Sequence, residues 1–297
     1  MPNAPLPGLP NPQKYDTTTV DVVTDEVTGL MWQREVANEF GTFDDAQRRC
    51  GRLQLASHAD WRLPSRIELV SLLDMSRTQP SINISAFPRA PSEWFWTSSV
   101  AAGHPTDAWF VYFYAGYPKT DDKGNRFAVR CVRDVAPRAQ RAGHYDVRAG
   151  EVHDLATDLT WQRVAPDKKL TLDAARVYCR QLALGASKRW RLPTEGELFT
   201  LIDERALVPP LIDAVFSRTP SEPFWSSSFF AGGPALAWYV AFDHGDGRYG
   251  FPTEQYRVRC VREGTGTSVV PQRPVDARAA HREHEQPDPR RHQNPRE

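Results

Sequence analysis

The residue types best suited to hold a ligand are concentrated in one short segment of the first half of the chain. This segment contributes three aromatic rings and a cation, of the sort that stack on sugars and hold anionic groups. We therefore expect a binding surface there. The candidate ligand-binding residues are Tyr112, Tyr114, Tyr117 and Lys119.

A second candidate segment, in the other half of the chain, combines acids, glycines, a cation and an aromatic ring. It reads Asp243-His244-Gly245-Asp246-Gly247-Arg248-Tyr249, and every residue except the two glycines is a candidate ligand-binding residue. Two acids around glycines could hold a calcium ion, but the full EF-hand pattern and its distal Glu are absent. A hairpin turn is the favoured interpretation, and no metal ligand is predicted.

The sequence lacks the signatures of common catalytic sites. Gly-x-Ser-x-Gly, His-Glu-x-x-His and a phosphate-binding Gly-rich loop are all absent. The run His281-Arg282-Glu283-His284 is typical of a solvated charge run and not of a metal site. We therefore expect no catalytic residue, no cofactor and no enzymatic activity.

These segments belong to a chain that is two copies of one unit. Trp32-Gln33-Arg34 recurs as Trp161-Gln162-Arg163, and Trp61-Arg62-Leu63-Pro64 recurs as Trp190-Arg191-Leu192-Pro193, each 129 residues later (161 − 32 and 190 − 61). A repeat of this length is too long for a solenoid motif and is close to the commonest size of a domain. The sequence therefore predicts two tandem domains.

The repeat also fixes the expected domain boundaries. We expect a Pro-rich spacer over residues 1–14, a first copy over 15–134, a short linker over 135–143 and a second copy over 144–263. The last segment, 264–297, mixes charge with Pro, Arg and His and shows no apolar periodicity, which predicts a disordered tail.

Within each copy the patterns predict an α+β plan. Thr42 precedes apolar residues that step by 3, 4 and 3, as on one face of a helix with a threonine N-cap, and Thr171 does the same in the second copy. A second short helix is expected after the capping boxes that begin at Ser65 and Thr194. Strands are expected from Phe95 to Val100, Trp109 to Tyr114 and Phe127 to Arg133, with equivalents in the second copy.

Residues that are identical in the two copies are explained by the fold alone. The tryptophans are expected in the core more often than on a ligand surface. The shared charged residues are expected in capping and internal ion pairs, although acid-base chemistry is the alternative. They are Trp32, Trp61, Trp96, Trp109, Trp161, Trp190, Trp225, Trp238, Arg62, Arg191, Glu68, Glu197, Arg130 and Arg259.

The cysteines follow the repeat. Four cysteines permit three pairings, but if each copy folds alone, equivalence leaves Cys50 with Cys131 and Cys179 with Cys260. Such disulfides would join the first helix of each copy to its last strand and would indicate an oxidising compartment. Four buried free thiols are the alternative. Zinc is disfavoured because Cys-x-x-Cys and His-x-x-x-His pairs are absent.

Charge and hydropathy limit the class of partner. The 37 Lys and Arg residues balance 37 Asp and Glu residues, which disfavours a nucleic-acid binder that works by neutralising phosphates. We expect no transmembrane segment, because no run approaches the ~18 apolar residues that a membrane span needs. The first residues resemble no signal peptide.

The ordered motifs of the first copy resemble those of the Lcl C-terminal domain family. They are Thr28 to Gln33, a helix that ends in Cys50, Trp61 to Pro64, a strand over Trp96 to Ser99 and a closing segment over Val129 to Arg133. The second copy resembles the family through the equivalent residues. The resemblance covers nearly all of the chain outside its two ends.

The resemblance implies two tandem C-type-lectin-like domains, each with two helices, a twisted antiparallel sheet, many loops and one disulfide. It further implies bacterial surface or periplasmic proteins, often lipid-anchored, whose best understood members bind sulfated or other glycans in adhesion. Glu-Pro-Asn and Trp-Asn-Asp are absent, and Gln-Pro-Asp occurs only as Gln286-Pro287-Asp288 in the expected tail, outside both copies. A calcium-dependent sugar site is therefore not expected.

We therefore expect an exported bacterial binding or adhesion protein that recognises a glycan or another surface ligand. Its location would be periplasmic, on the cell surface or secreted, or that of a lipoprotein whose signal lies outside this sequence. An envelope scaffold that binds other proteins is the first alternative. An uncharacterised enzyme of the sulfatase-activating-enzyme-like fold group is the second, although both cysteine pairs look structural.

Overall fold

The computed structural model of the 297-residue chain describes residues 1–264, except 5, 7, 8, 37, 38, 137–143, 186–188 and 210. Most of the expected linker, 137–143, and the expected tail after Gly264 therefore lie outside the described residues. So does the charge run at 281–284. The account below concerns the unit formed by residues 1–264.

The first copy opens with a small strand region, continues with two helices and ends in a second strand region. Its elements, in chain order, are β1 Tyr15–Asp16, β2 Val22–Asp25, β3 Leu30–Gln33, α1 Phe43–Arg52, α2 Arg66–Val70, β4 Trp94–Ala101, β5 His104–Tyr112, β6 Tyr117–Asp122 and β7 Val132–Asp134.

The second copy repeats this order. Its elements are β8 Tyr145–Arg148, β9 Glu151–Asp154, β10 Leu159–Gln162, α3 Leu172–Gln181, α4 Glu195–Phe199, β11 Pro223–Phe229, β12 Ala237–Ala241, β13 Asp246–Gly250 and β14 Val261–Glu263.

Each copy contains two antiparallel sheets in the described residues. The first sheet has the order β1-β2-β3-β7, or β14-β10-β9-β8 in the second copy, and it pairs the beginning of a copy with its end. Trp32 lies opposite Val132 in this sheet, and Trp161 lies opposite Val261. The second sheet is a meander, β4-β5-β6 or β11-β12-β13. The α+β prediction is thereby confirmed.

The helices begin where the sequence predicts. The Thr42 side chain accepts a hydrogen bond from the N–H of Asp45, and Thr171 accepts one from Ala174. Ser65 and Glu68 form the predicted capping box of α2, as Thr194 and Glu197 do in α4. These caps satisfy backbone donors that the first turn of a helix leaves unpaired.

The predicted strand from Phe127 to Arg133 is wrong over most of its length. Only Val132 and Arg133 of this range fall in β7, whereas Phe127 and Ala128 make isolated bridges to Gly41 and Phe95. Phe127 and Ala128 are buried in hydrophobic clusters, so their apolar character reflects their position in the core and not a strand. Strand β6, which pairs with β5 in a hairpin, is not among the predicted strands.

The four cysteines form the two predicted disulfides, Cys50–Cys131 and Cys179–Cys260. Each joins the first helix of a copy to the segment just before its last strand. All four residues are completely buried. Each bridge lies in a small hydrophobic cluster that belongs to one copy only.

The largest hydrophobic cluster is shared by both copies. It contains Trp32, Leu69 and Phe95 of the first copy together with Trp161 and Leu198 of the second. The repeat does not reveal this by itself, because it predicts only that each copy has a core. In the structure the two copies join through buried apolar side chains.

The expected N-terminal spacer packs against this body. Asn3 is buried and its side-chain oxygen accepts a hydrogen bond from the Thr194 hydroxyl at 2.8 Å. The Gln13 amide donates to the carbonyl of Leu73 at 3.0 Å. Among the described residues, no helix is long and apolar enough to cross a membrane.

Candidate functional site

Strands β4 and β5 of the first copy's meander, with the turn after β5, bring three aromatic side chains to one surface. In β4-β5-β6 the register places Trp94 opposite Tyr112, and Tyr112 opposite Tyr117. Side chains that are opposite each other in a sheet lie on the same face, so Trp94 and Tyr112 project together. Tyr114 follows two residues after Tyr112. We call Trp94, Tyr112 and Tyr114 the aromatic patch.

The rings of the aromatic patch form a stepped surface. The Trp94 and Tyr112 rings meet edge to face at 5.6 Å, and the Tyr112 and Tyr114 rings lie nearly parallel at 5.6 Å. Trp94 is 39% exposed and Tyr114 is 42% exposed. Ring pairs with these separations support each other's orientation. The patch is therefore an ordered aromatic surface open to solvent.

Buried neighbours hold the patch in place. The Trp94 ring stacks on Phe110 at 5.4 Å and meets Phe127 edge to face at 5.0 Å. The Gln79 amide donates to the Tyr114 hydroxyl at 2.8 Å. Lys119 is exposed and lies opposite Phe110 in the register, so it belongs to the same face of the sheet.

The second copy has no equivalent of this patch. The positions that correspond to Trp94, Tyr112 and Tyr114 are occupied by Pro223, Ala241 and Asp243. Both meanders have the same strand order, so the fold by itself does not require the aromatic residues of the first copy. Sequence reasoning missed Trp94, although its replacement by Pro223 within the otherwise shared Pro-Ser-Glu-x-Phe-Trp motif was the available signal.

Tyr117, the remaining aromatic candidate, connects the aromatic patch to the second copy. Its ring meets the Tyr112 ring edge to face at 5.7 Å. Its ring lies 6.2 Å from the ring of Trp238 in the second copy. It is only partly exposed, and burial raises the pKa of its hydroxyl, with smaller contributions from nearby Tyr112, Tyr249 and Asp246. Tyr117 therefore lies between the aromatic patch and the second copy, whereas Tyr114 is exposed and Tyr112 is partly buried.

The candidate residues of the second copy also differ in their surroundings. Asp246 is buried, and its carboxylate accepts a hydrogen bond from Arg248 Nε at 3.1 Å. Tyr249 stacks on Phe230 at 4.3 Å. His244 and Asp243 contact each other through Nδ1 and Oδ2 at 2.9 Å. Each of these contacts lies within the second copy.

The acids of this segment lie in a hairpin, as predicted. β12 ends at Ala241 and β13 begins at Asp246, and the two strands are paired antiparallel. Within the part of the chain that the structure describes, no group of three or more His, Cys, Asp or Glu side chains could hold a metal ion.

The charged residues that both copies share are engaged in internal contacts. Arg62 donates two hydrogen bonds to Glu68, at 2.7 and 2.8 Å, and Glu68 also accepts from the Ser65 N–H. Burial acts to raise the pKa of Glu68, but its bonds to Arg62 and Ser65 outweigh burial and lower the pKa. Arg191 and Glu197 repeat the pair, with both bonds at 2.7 Å.

A buried carboxyl with a strongly shifted pKa lies elsewhere. Burial raises the pKa of Glu195 well above its ordinary range, which is a property of many catalytic acids. Glu195 lies beside Phe199 and Gly247 at the contact between the copies, however, and not at the aromatic patch. Such burial in a structural contact also raises a carboxyl pKa without any catalytic role.

Comparison with known proteins identifies both copies. Residues 21–133 and residues 150–262 each match the family model described as the Lcl C-terminal domain, and together they make up more than half of the chain. No curated protein matches the chain.

Proposed function

Because the chain belongs to the Lcl C-terminal domain family through both of its copies, we propose that it is a binding protein that recognises glycans through its first copy. The aromatic patch of Trp94, Tyr112 and Tyr114 carries this proposal. It is ordered, open to solvent and absent from the second copy.

The chemistry of the patch suits a saccharide. The C–H faces of a sugar ring pack on aromatic rings, while its hydroxyl groups need nearby donors and acceptors. The Tyr112 and Tyr114 hydroxyls and the Gln79 amide provide such groups at the rim. Lys119, on the same face of the sheet, adds a cation that favours an anionic substituent. These roles require binding and no catalysis.

The proposal extends to the fold and the cellular location. Each copy joins its first helix to its closing segment by a disulfide and pairs its first strands with its last, which supports a C-type-lectin-like fold. Two persistent disulfides are compatible with an oxidising compartment. We assign the protein to the extracytoplasmic space of a bacterium, where glycan binding would serve adhesion.

A glycan array at physiological salt tests the proposal with the full chain and two variants. Trp94→Ala removes the exposed ring at one end of the patch and should lower the affinity for any bound glycan at least about tenfold. Tyr249→Ala is the matched control, since it removes an exposed, stacked aromatic ring of the second copy and should leave binding unchanged. The absence of glycan binding by the intact chain, or equal losses in both variants, would contradict the proposal.

A protein-binding scaffold is the second candidate function, and one observation favours it. Phe229 and Phe251 are 42% and 59% exposed and lie at the same end of the β11-β12-β13 sheet. Exposed apolar side chains that lie together mark many protein contacts. Loss of a captured envelope protein on Phe229→Ser and Phe251→Ser, with glycan binding absent, would support the scaffold instead.

A further inference from the structure

The two copies meet through equivalent elements. The short helix α2 of the first copy contacts α4, its counterpart in the second, and strand β6 contacts its counterpart β13. When a surface packs against its own equivalent, the contact has approximate two-fold symmetry. We call the surface formed by α2, α4, β6 and β13 the copy interface.

Reciprocal side-chain contacts confirm this symmetry. Tyr117 of the first copy contacts the Trp238 ring of the second. In the other direction, the Trp109 ring approaches the second copy at Gly245, where an added Cβ would lie only 2.9 Å from the ring. Trp109 is the repeat equivalent of Trp238, and Gly245 directly precedes the equivalent of Tyr117. Each copy therefore contributes the same tryptophan to the copy interface.

Charge breaks the symmetry where the two short helices begin. The first residue of α2 is Arg66, and the first residue of α4 is Glu195. Both side chains are almost completely buried. Their backbone N–H groups make equivalent bonds to Ser99 and Ser228, so the two side chains start from the same local structure.

Arg66 crosses the copy interface and binds the second copy. Its Nε donates to the Glu204 carboxylate at 2.8 Å, and its Nη2 donates to the carbonyls of Phe199 and Ile202 at 3.1 and 3.3 Å. Its guanidinium group also lies over the Trp109 ring of its own copy at 5.4 Å. A buried cation is tolerable because of such partners.

Glu195 makes no corresponding set of contacts. Neither of its carboxylate oxygens has a hydrogen-bond partner among the described residues. Opposite Arg66 the second copy offers Glu204, whereas the first copy has Met75 at the equivalent position. The interface therefore contains one cross-copy ion pair and not two.

The two alternative pairings of these surfaces would lack this ion pair. If two first copies met by the same symmetry, each Arg66 would face Met75 and find no carboxylate. If two second copies met, each Glu195 would face Glu204, and like charges would be buried together. Only a first copy with a second copy matches a cation to a carboxylate, and specificity often arises from such penalties on the wrong partner.

We propose that Arg66 and Glu204 select the partner at the copy interface, so that a first copy pairs with a second copy and not with its own kind. The partner that this surface fits is the complementary copy of the same repeat. In the wild-type chain that partner is tethered and the pairing is internal.

Charge exchange in the full chain tests this selection. Arg66→Glu places two acids in contact and Glu204→Arg places two arginines in contact, so each variant should lower the thermal unfolding midpoint by roughly 10 °C. The double variant R66E/E204R restores one cation and one carboxylate and should recover most of the loss. Asp60→Arg is the control, because it reverses an ion pair with Arg133 that lies within the first copy. Asp60 is largely exposed, so this change should have a smaller effect.

Mixing the two single variants tests partner choice directly. The first copy of the R66E chain should pair with the second copy of the E204R chain, and the remaining copies should pair likewise. Sedimentation velocity should therefore show a one-to-one dimer in the mixture that neither variant forms alone. A mixture that stays monomeric, or a double variant no more stable than the single ones, would overturn the proposal. If R66E does not fold, Glu204→Met, which introduces the first copy's own residue, must still destabilise the chain more than Asp60→Met.

Discussion

At the scale of residues, two glutamates of one short helix show how environment separates identical side chains. Glu195 and Glu197 both lie in α4, and both are almost fully buried. Glu197 receives two hydrogen bonds from Arg191 and caps the helix at Thr194. Glu195 has no such partner, and burial raises its pKa well above the ordinary value of 4.5.

This difference predicts opposite effects of the same substitution. A carboxyl whose pKa is raised by folding stabilises the native state most below its unfolded pKa, and stability declines as the pH rises from there toward the folded pKa. Glu195→Gln removes that decline. In urea denaturation, the free energy of unfolding of the Glu195→Gln variant should therefore rise relative to that of wild type by about 1.4 kcal/mol per pH unit above pH 5. The rise should stop at the pKa that Glu195 has in the folded protein.

Glu197→Gln is the matched control for this measurement. It removes the carboxylate that accepts two hydrogen bonds from Arg191, which keeps only its ion pair with Glu263. It should therefore destabilise the protein by about 2 kcal/mol at each pH between 5 and 8. A Glu195→Gln variant whose stability runs parallel to that of wild type across this range would contradict the account of Glu195.

At the scale of elements, each disulfide fastens a helix that is otherwise held by a small cluster. α1 and α3 bury Cys50 and Cys179 on the face that packs against the closing segment of their own copy. The cysteines of each bridge are 81 residues apart. A cross-link over so long a segment restricts the unfolded chain strongly.

Removal of either bridge should therefore be costly. The Cys50→Ala/Cys131→Ala variant and the Cys179→Ala/Cys260→Ala variant should each lose about 4.5 kcal/mol of stability in denaturant titrations, on the chain-entropy estimate. Each variant is the control for the other, because the two closed segments have the same length. Peptide mapping of the wild-type protein without reduction should find only these two pairs, and a cross-copy pair would disprove the assignment.

At the scale of the whole molecule, the shared cluster makes the two copies depend on each other. Leu69 of α2 and Leu198 of α4 are repeat equivalents, both completely buried in that cluster. Side chains that pack in one continuous core lose their contacts together when part of it unfolds. The described unit of residues 1–264 should therefore unfold in a single transition.

Hydrogen exchange tests this coupling. Leu69→Ala should cost about 3 kcal/mol and should lower protection in the second copy around Cys179, although it changes only the first copy. Leu198→Ala should do the reverse and lower protection around Cys50. If each substitution lowers protection only in its own copy, the copies unfold independently.

Local signals in the sequence are sufficient to predict where the helices begin and how the cysteines pair. Capping boxes and helical spacing act over a few residues, and Ser65 with Glu68 shows that such signals survive in the folded chain. The strand prediction over Phe127 to Arg133 is wrong because Phe127 and Ala128 are apolar for packing in the core and make only isolated bridges. A short apolar run does not distinguish these two causes.

Only part of the candidate site could be predicted, because local signals do not show which distant residues meet. Tyr112 and Tyr114 were found from their residue type, and Trp94 was missed because it is 18 residues earlier in the chain and comes beside Tyr112 only through the β4–β5 register. Tyr117 and Asp246 were candidates by type, yet the copy interface partly or fully buries them.

The sequence by itself determined the duplication, the two disulfides, the helix starts and the family, because these follow from residue identity and spacing along the chain. The tertiary structure alone decided which aromatic residues meet on one surface and which are covered. It also joined the copies through one core and set Arg66 against Glu204. Such contacts depend on how distant segments pack, and no local spacing encodes them.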